Sequence, residues 1–255
     1  MHQTSRRRLF LASLVILAVL ALTAVTSANH SWNGYHWARQ SNPFTVQLGD
    51  NVSGAWDSVL RTTSSDWSQS TVLDTVIVPG AANKRNCRPT SGRVEVCNDT
   101  YGNNGWLGVA QVWVSGSHIT QGTVKLNDTY FNTSTYNTTA WRNLVSCQEV
   151  GHTFGLDHQD ENFNNPNLGT CMDYTNDPST NQHPNKHDYD ELVTIYSHLD
   201  STSTLGQIAS RIHDFVQSAP PEWGKLIRHS PNGKNSLFEL DLGHGRRVFT
   251  FVIWA

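Results

Sequence analysis

The stretch Gln148-Glu149-Val150-Gly151-His152-Thr153-Phe154-Gly155-Leu156-Asp157-His158 constrains the fold of this chain more than any other part of it. Trp141, Leu144, Val145, Gln148 and His152 recur at the spacing of one helix face, so Gln148 points inward although it is polar. In such a helix Gln148 and His152 lie one turn apart and can reach one ion, while Glu149 projects beside them toward a bound water. Gly155 can end the helix in a left-handed turn, which lets the chain double back and present His158 to the same ion. Gln148 reads either as a ligand through its amide oxygen or as an inward amide satisfied by the protein beside an altered site. Cys147 is rotated about 100° from the ligand face and is a poor substitute for it. Asp160, just after His158, is a closer substitute.

Ahead of this helix the pattern is mostly strand. Residues 44–48 alternate, 75–78 run into the stop Pro79-Gly80, and 94–96, 107–114 and 122–126 follow as three more strands. Between the first two, Trp56, Val59, Leu60 and Trp67 have helical spacing. After His158 comes an irregular stretch over 168–185, then a closing helix over 188–199 with Leu192, Ile195, Tyr196 and Leu199 on one side. Residues 201–221 are rich in Ser, Ala and Pro and read as a linker, and 222–255 as a small β-meander around the turn Ser230-Pro231-Asn232-Gly233. The expected class is α+β.

Residues 1–28 read as an export signal: Arg6, Arg7 and Arg8 precede an apolar run that ends at Thr26-Ser27-Ala28, so the exported chain begins near Asn29 and has no stable membrane insertion. The pair Arg7-Arg8 also fits a twin-arginine signal, although the very apolar run favours the general secretory route. Only 15% of residues are charged, and Lys+Arg 18 against Asp+Glu 21 gives −3, which offers no footprint for nucleic acid. The four cysteines, Cys87, Cys97, Cys147 and Cys171, suit two disulfides in an oxidising compartment. Three pairings exist, and Cys87–Cys97 would close a short loop. His118, His198 and His213 read as surface or packing residues. Asn51, Asn98, Asn127, Asn132 and Asn137 begin glycosylation sequons.

With Gln148 to His158 followed by Cys171-Met172-Asp173-Tyr174, the chain resembles the metzincin clan of zinc metalloproteases, most nearly its matrixin-like members. Their signature is H-E-x-x-H-x-x-G-x-x-H and then a methionine-containing turn, and this sequence departs from it at Gln148, where the pattern has His. The resemblance implies a twisted five-stranded sheet with an active-site helix and a C-terminal helix over residues 29–200. It implies one catalytic Zn²⁺ held by His152, His158 and Gln148, Glu149 as general base, Met172 beneath the metal and Tyr174 assisting the oxyanion. A Ca²⁺ ion is compatible with it, but no residue pattern assigns one. The ligand helix and the methionine turn lie against each other in that fold, which implies the pair Cys147–Cys171. Residues 105–114 match the edge strand that would hold an extended protein or peptide substrate by β-augmentation. The function so implied is that of a secreted, monomeric zinc endopeptidase; the alternative is a catalytically silent metzincin fold acting as a secreted binding module.

Overall fold

Alternating apolar patterns in two distant parts of the chain form the strands of one mixed sheet. The computed structural model of the protein describes residues 29–206 and 223–255; the export segment 1–28, residues 207–221 of the expected linker, and His213 with them, lie outside the described residues. The elements are β1 (His36–Trp37), β2 (Phe44–Asn51), α1 (Trp56–Trp67), β3 (Leu73–Pro79), β4 (Val94–Asp99), β5 (Trp106–Ser115), β6 (His118–Asn127), α2 (Asp128–Phe131), α3 (Thr139–His152), α4 (Lys186–Ile195), β7 (Lys225–His229), β8 (Asn235–Gly243) and β9 (Arg246–Trp254). The class is α+β. No helix among the described residues is long and apolar enough to cross a membrane.

The sheet order is β3-β2-β4-β6-β5-β9-β8-β7, with β1 added to β6. β2, β3, β4 and β6 run parallel, and β5 is antiparallel to β6. Helices α1 and α3 pack on each other and on the sheet. The indole of Trp67 donates to the carbonyl of Cys147 at 3.1 Å, and the hydroxyls of Thr63 and Ser146 meet at 2.8 Å, so the helix pair is locked by buried polar contacts as well as apolar ones.

Two expectations are corrected here. Residues 105–114 are not an edge: β9 pairs with β5 from Trp106 opposite Trp254 to Ser115 opposite Arg246. The reason is burial. Phe249, Phe251 and Ile253 on one face of β9 join the main core, while Val252 on the other packs with Trp106 and Val109, so this strand is apolar on both faces and must lie inside a sheet. Pairing also satisfies the backbone row that β5 would otherwise expose. The meander therefore continues the same sheet instead of standing beside it. The closing helix is the second correction, since it runs Lys186–Ile195 and leaves Leu199 exposed. It starts early because the Asn185 side chain accepts from the backbone of His187 and Asp188, and the Asp188 carboxylate accepts from that of Asn185. It stops early because the following chain is held by Arg39, whose guanidinium donates to the carbonyl of His198 and whose own carbonyl accepts from Asp200 N.

Disulfides join Cys87 to Cys97 and Cys147 to Cys171, the expected pairs. Of the sequon asparagines, Asn51, Asn98 and Asn127 are buried and donate to Glu95, Asp128 and the carbonyl of Trp106 respectively, which leaves no access for glycan transfer in the folded protein.

Candidate metal and catalytic cleft

Helix α3 begins on a Thr138 cap, whose hydroxyl accepts from Trp141 N, and is buried from Arg142 to His152. It packs on α1 and on strands β5, β6 and β9. Gly155 then takes a φ of +94°, and a β-carbon there would fall 2.1 Å from the carbonyl oxygen of Tyr35; only glycine permits the reversal. The residues after it are held antiparallel to an N-terminal strap by the bridge Ser31–Leu156 and by hydrogen bonds from Trp32 N to Gly155 O at 2.9 Å and from Asp157 N to His30 O at 2.6 Å. This arrangement brings His158 beside His152.

The two imidazoles meet edge to face with centroids 4.6 Å apart. His152 Nδ1 donates to the carbonyl of Leu156 at 2.9 Å, which fixes the tautomer and leaves a lone pair on Nε2. His158 Nδ1 lies 3.4 Å from a carboxylate oxygen of Asp157. Nε2 of both rings is buried without a hydrogen-bond partner, as is the amide nitrogen of Gln148, and the Glu149 carboxylate has only the backbone N–H of Ala110 in β5 to draw on. That many orphaned polar atoms in one place would be costly unless something binds among them. The two imidazole lone pairs, one from the end of the helix and one from beyond the Gly155 reversal, suit a divalent cation, and the Gln148 side chain, one turn before His152, could join them only through its amide oxygen.

Burial pushes the Glu149 carboxyl well above its usual value and holds both imidazoles down, His152 the more strongly and with the nearby His158 adding to it. Both rings are therefore neutral donors at neutral pH. Asp157 is pulled the other way: burial alone would raise it, but its bonds to His158 and Arg228 outweigh that and keep it ionised. Burial also raises the Tyr174 phenol, which stays protonated and able to donate.

Met172 and Tyr174 reach the same place, and Asp160 does not. Met172 is fully buried under α3, and a β-carbon at Gly151 would fall 2.7 Å from its sulfur, so the turn fits against the helix only because residue 151 is glycine. The turn is fixed by Met172 N donating to Thr170 Oγ1 at 3.0 Å and by the Cys147–Cys171 bridge. Tyr174 packs its ring 4.1 Å from that of His158. Asp160 is engaged elsewhere: its carboxylate accepts from Asn162 N and from the Asn165 amide, so it turns its own loop and supplies nothing to the cleft.

Two residues that sequence reasoning missed come from the meander. Phe251 of β9 stacks flat on His152, centroids 4.0 Å apart and planes 9° from parallel. Arg228 of β7 grips both Asp157 carboxylate oxygens and reaches Glu161 at 3.0 Å, so the Asp157-His158-Glu161 group already holds its cation. A lone arginine in the apolar run Leu226-Ile227-Arg228 was the available signal. The open part of the cleft, about 190 Å³, is lined by Leu107, Trp141, Gln148, Tyr174, Asn235 and Trp254. Comparison with family models and with curated proteins finds no match for this chain.

Proposed function

We propose that this protein is a secreted zinc endopeptidase of metzincin-like fold. The observation that carries the reading is the pair of buried, unpartnered imidazole nitrogens His152 Nε2 and His158 Nε2, with Glu149 fully buried on the same helix and Gln148, one turn before His152, on the wall of an open cleft. Zinc held by His152, His158 and the Gln148 amide would supply Lewis acidity toward a peptide carbonyl. Glu149, whose carboxyl burial raises, stands on the ligand helix one residue after Gln148 and would take a proton from water and return it to the leaving amine. Tyr174, a protonated phenol on the cleft wall, is placed to donate to an oxyanion. The β5 edge is taken by β9, so a substrate would enter by the Gln148–Tyr174 side.

That covering strand, with Phe251 flat on His152, favours the second reading of a silent binding module. Zinc content and peptide hydrolysis separate the two. The endopeptidase reading expects one zinc lost in His152→Ala and hydrolysis lowered about 10²–10⁴-fold in Glu149→Ala. Gln148→His should tighten zinc and preserve hydrolysis, because a third imidazole is a stronger donor than an amide. Zinc-loaded wild type and Gln148→His that both fail to cleave any peptide would leave the binding module.

A further inference from the structure

A second group of histidine and aspartate lies where the N-terminal strap meets the first turn of α4. His30, His187 and Asp188 each turn one ligand atom into a space where all three atoms lie within 4.8 Å of one another. The His30 and His187 rings stand with centroids 4.8 Å apart, and His30 Nε2 is 3.7 Å from Asp188 Oδ1. His30 is only 4% exposed and Asp188 is fully buried.

The hydrogen bonds around the group decide its chemistry. His30 Nδ1 faces the carbonyl oxygen of Asp157 at 3.0 Å, and because a carbonyl can only accept, Nδ1 carries the proton and Nε2 the lone pair. Asp188 Oδ2 accepts from the Thr170 hydroxyl and from Asn185 N, which sets the carboxylate and leaves Oδ1 turned toward His30. Neither His30 Nε2 nor Asp188 Oδ1 has a hydrogen-bond partner. Two buried acceptors thus face each other, and among the described residues no lysine or arginine pairs with Asp188. Such an arrangement needs a cation between the two atoms, either a proton or a metal ion. A backbone carbonyl on the far nitrogen of the imidazole and two donors on the far oxygen of the carboxylate are the outer contacts that orient metal ligands.

We propose that His30, His187 and Asp188 bind a second divalent transition-metal ion, zinc by its two-nitrogen, one-oxygen donor set, which pins the N-terminal strap to α4. The site is structural in position, since His30 and Asp157 exchange two hydrogen bonds and Asp157 directly precedes His158. Filling it would hold the segment that presents His158.

Elemental analysis of purified protein equilibrated with Zn²⁺ tests this independently of the cleft. Two zinc ions per chain are expected in wild type, one in His30→Ala, one in His187→Ala and one in His152→Ala. His187 is half-buried, so its replacement leaves the core intact, and circular dichroism checks that the variant is folded. A stoichiometry that both His30→Ala and His187→Ala leave at the wild-type value overturns the proposal and assigns the space between His30 and Asp188 to a shared proton. Zinc lost in these two variants but unchanged in His152→Ala would uphold it while removing the metal from the proposed catalytic cleft.

Discussion

Two clusters in this molecule share the same residue types and differ in how they are satisfied. His30, His187 and Asp188 sit at one end of the N-terminal strap, and His36, His198 and Asp200 a few residues further along it. In the second cluster Asp200 accepts from the Arg39 guanidinium at 2.9 Å and from Arg39 N at 3.2 Å, while its other oxygen faces His36 and His118. His36 Nδ1 donates to Gly34 O, and its Nε2 meets that of His198 at 3.1 Å. A buried guanidinium already supplies the positive charge that the first cluster lacks. Composition and proximity are the same in the two clusters; the hydrogen-bonding atoms left without a partner are what set the first apart. His118 and His198, which read as surface or packing residues, are members of this saturated group.

The sharpest way to break the comparison is Arg39→Ala. Removing the cation leaves the largely buried Asp200 uncompensated, and stability should fall by about 3–5 kcal/mol, read from the denaturant midpoint. If the variant instead keeps its stability by taking up zinc at His36, His198 and Asp200, the guanidinium was standing in for a metal. A middling effect is expected at Thr170, whose hydroxyl orients Asp188 and accepts from Met172 N. Thr170→Val should cost about 1–3 kcal/mol and weaken zinc at His30, His187 and Asp188 about 10–100-fold, with the His152 site read separately by hydrolysis. Equal zinc affinity in Thr170→Val would show that Asp188 needs no orienting partner. The smallest effect belongs to His198→Ala. Its side chain is exposed, so stability should stay within about 0.5 kcal/mol and zinc content should not change. A lost zinc ion in this variant would erase the distinction between the clusters.

The same lesson applies to the proposed catalytic cleft. Asp157, His158 and Glu161 lie close enough for a metal, yet Arg228 already bridges both carboxylates, so His158 is left with its Nε2 for the His152 side. In both cases an arginine far in sequence from the carboxylate it holds determines which histidine atoms remain available.

The sequence by itself determined the local elements. Apolar spacing located α1, α3 and the strands around residues 44–48, 75–78, 94–96, 107–114 and 122–126, and helix spacing with the turn at Gly155 placed Gln148, His152 and His158 together, because these are short-range properties, while Met172 and Tyr174 were read from the family resemblance. The closing helix was displaced, since its bounds depend on the Asn185 cap and on Arg39, a contact across most of the chain. What only the tertiary structure decided was long-range: that β9 covers β5, that Phe251 lies on His152, that Arg228 neutralises Asp157, and that His30 meets Asp188. Alternation tells which face of a strand is apolar but not which neighbour that strand will choose. A histidine's role depends on the atoms facing it, and those atoms come from residues with no fixed separation from it in the chain.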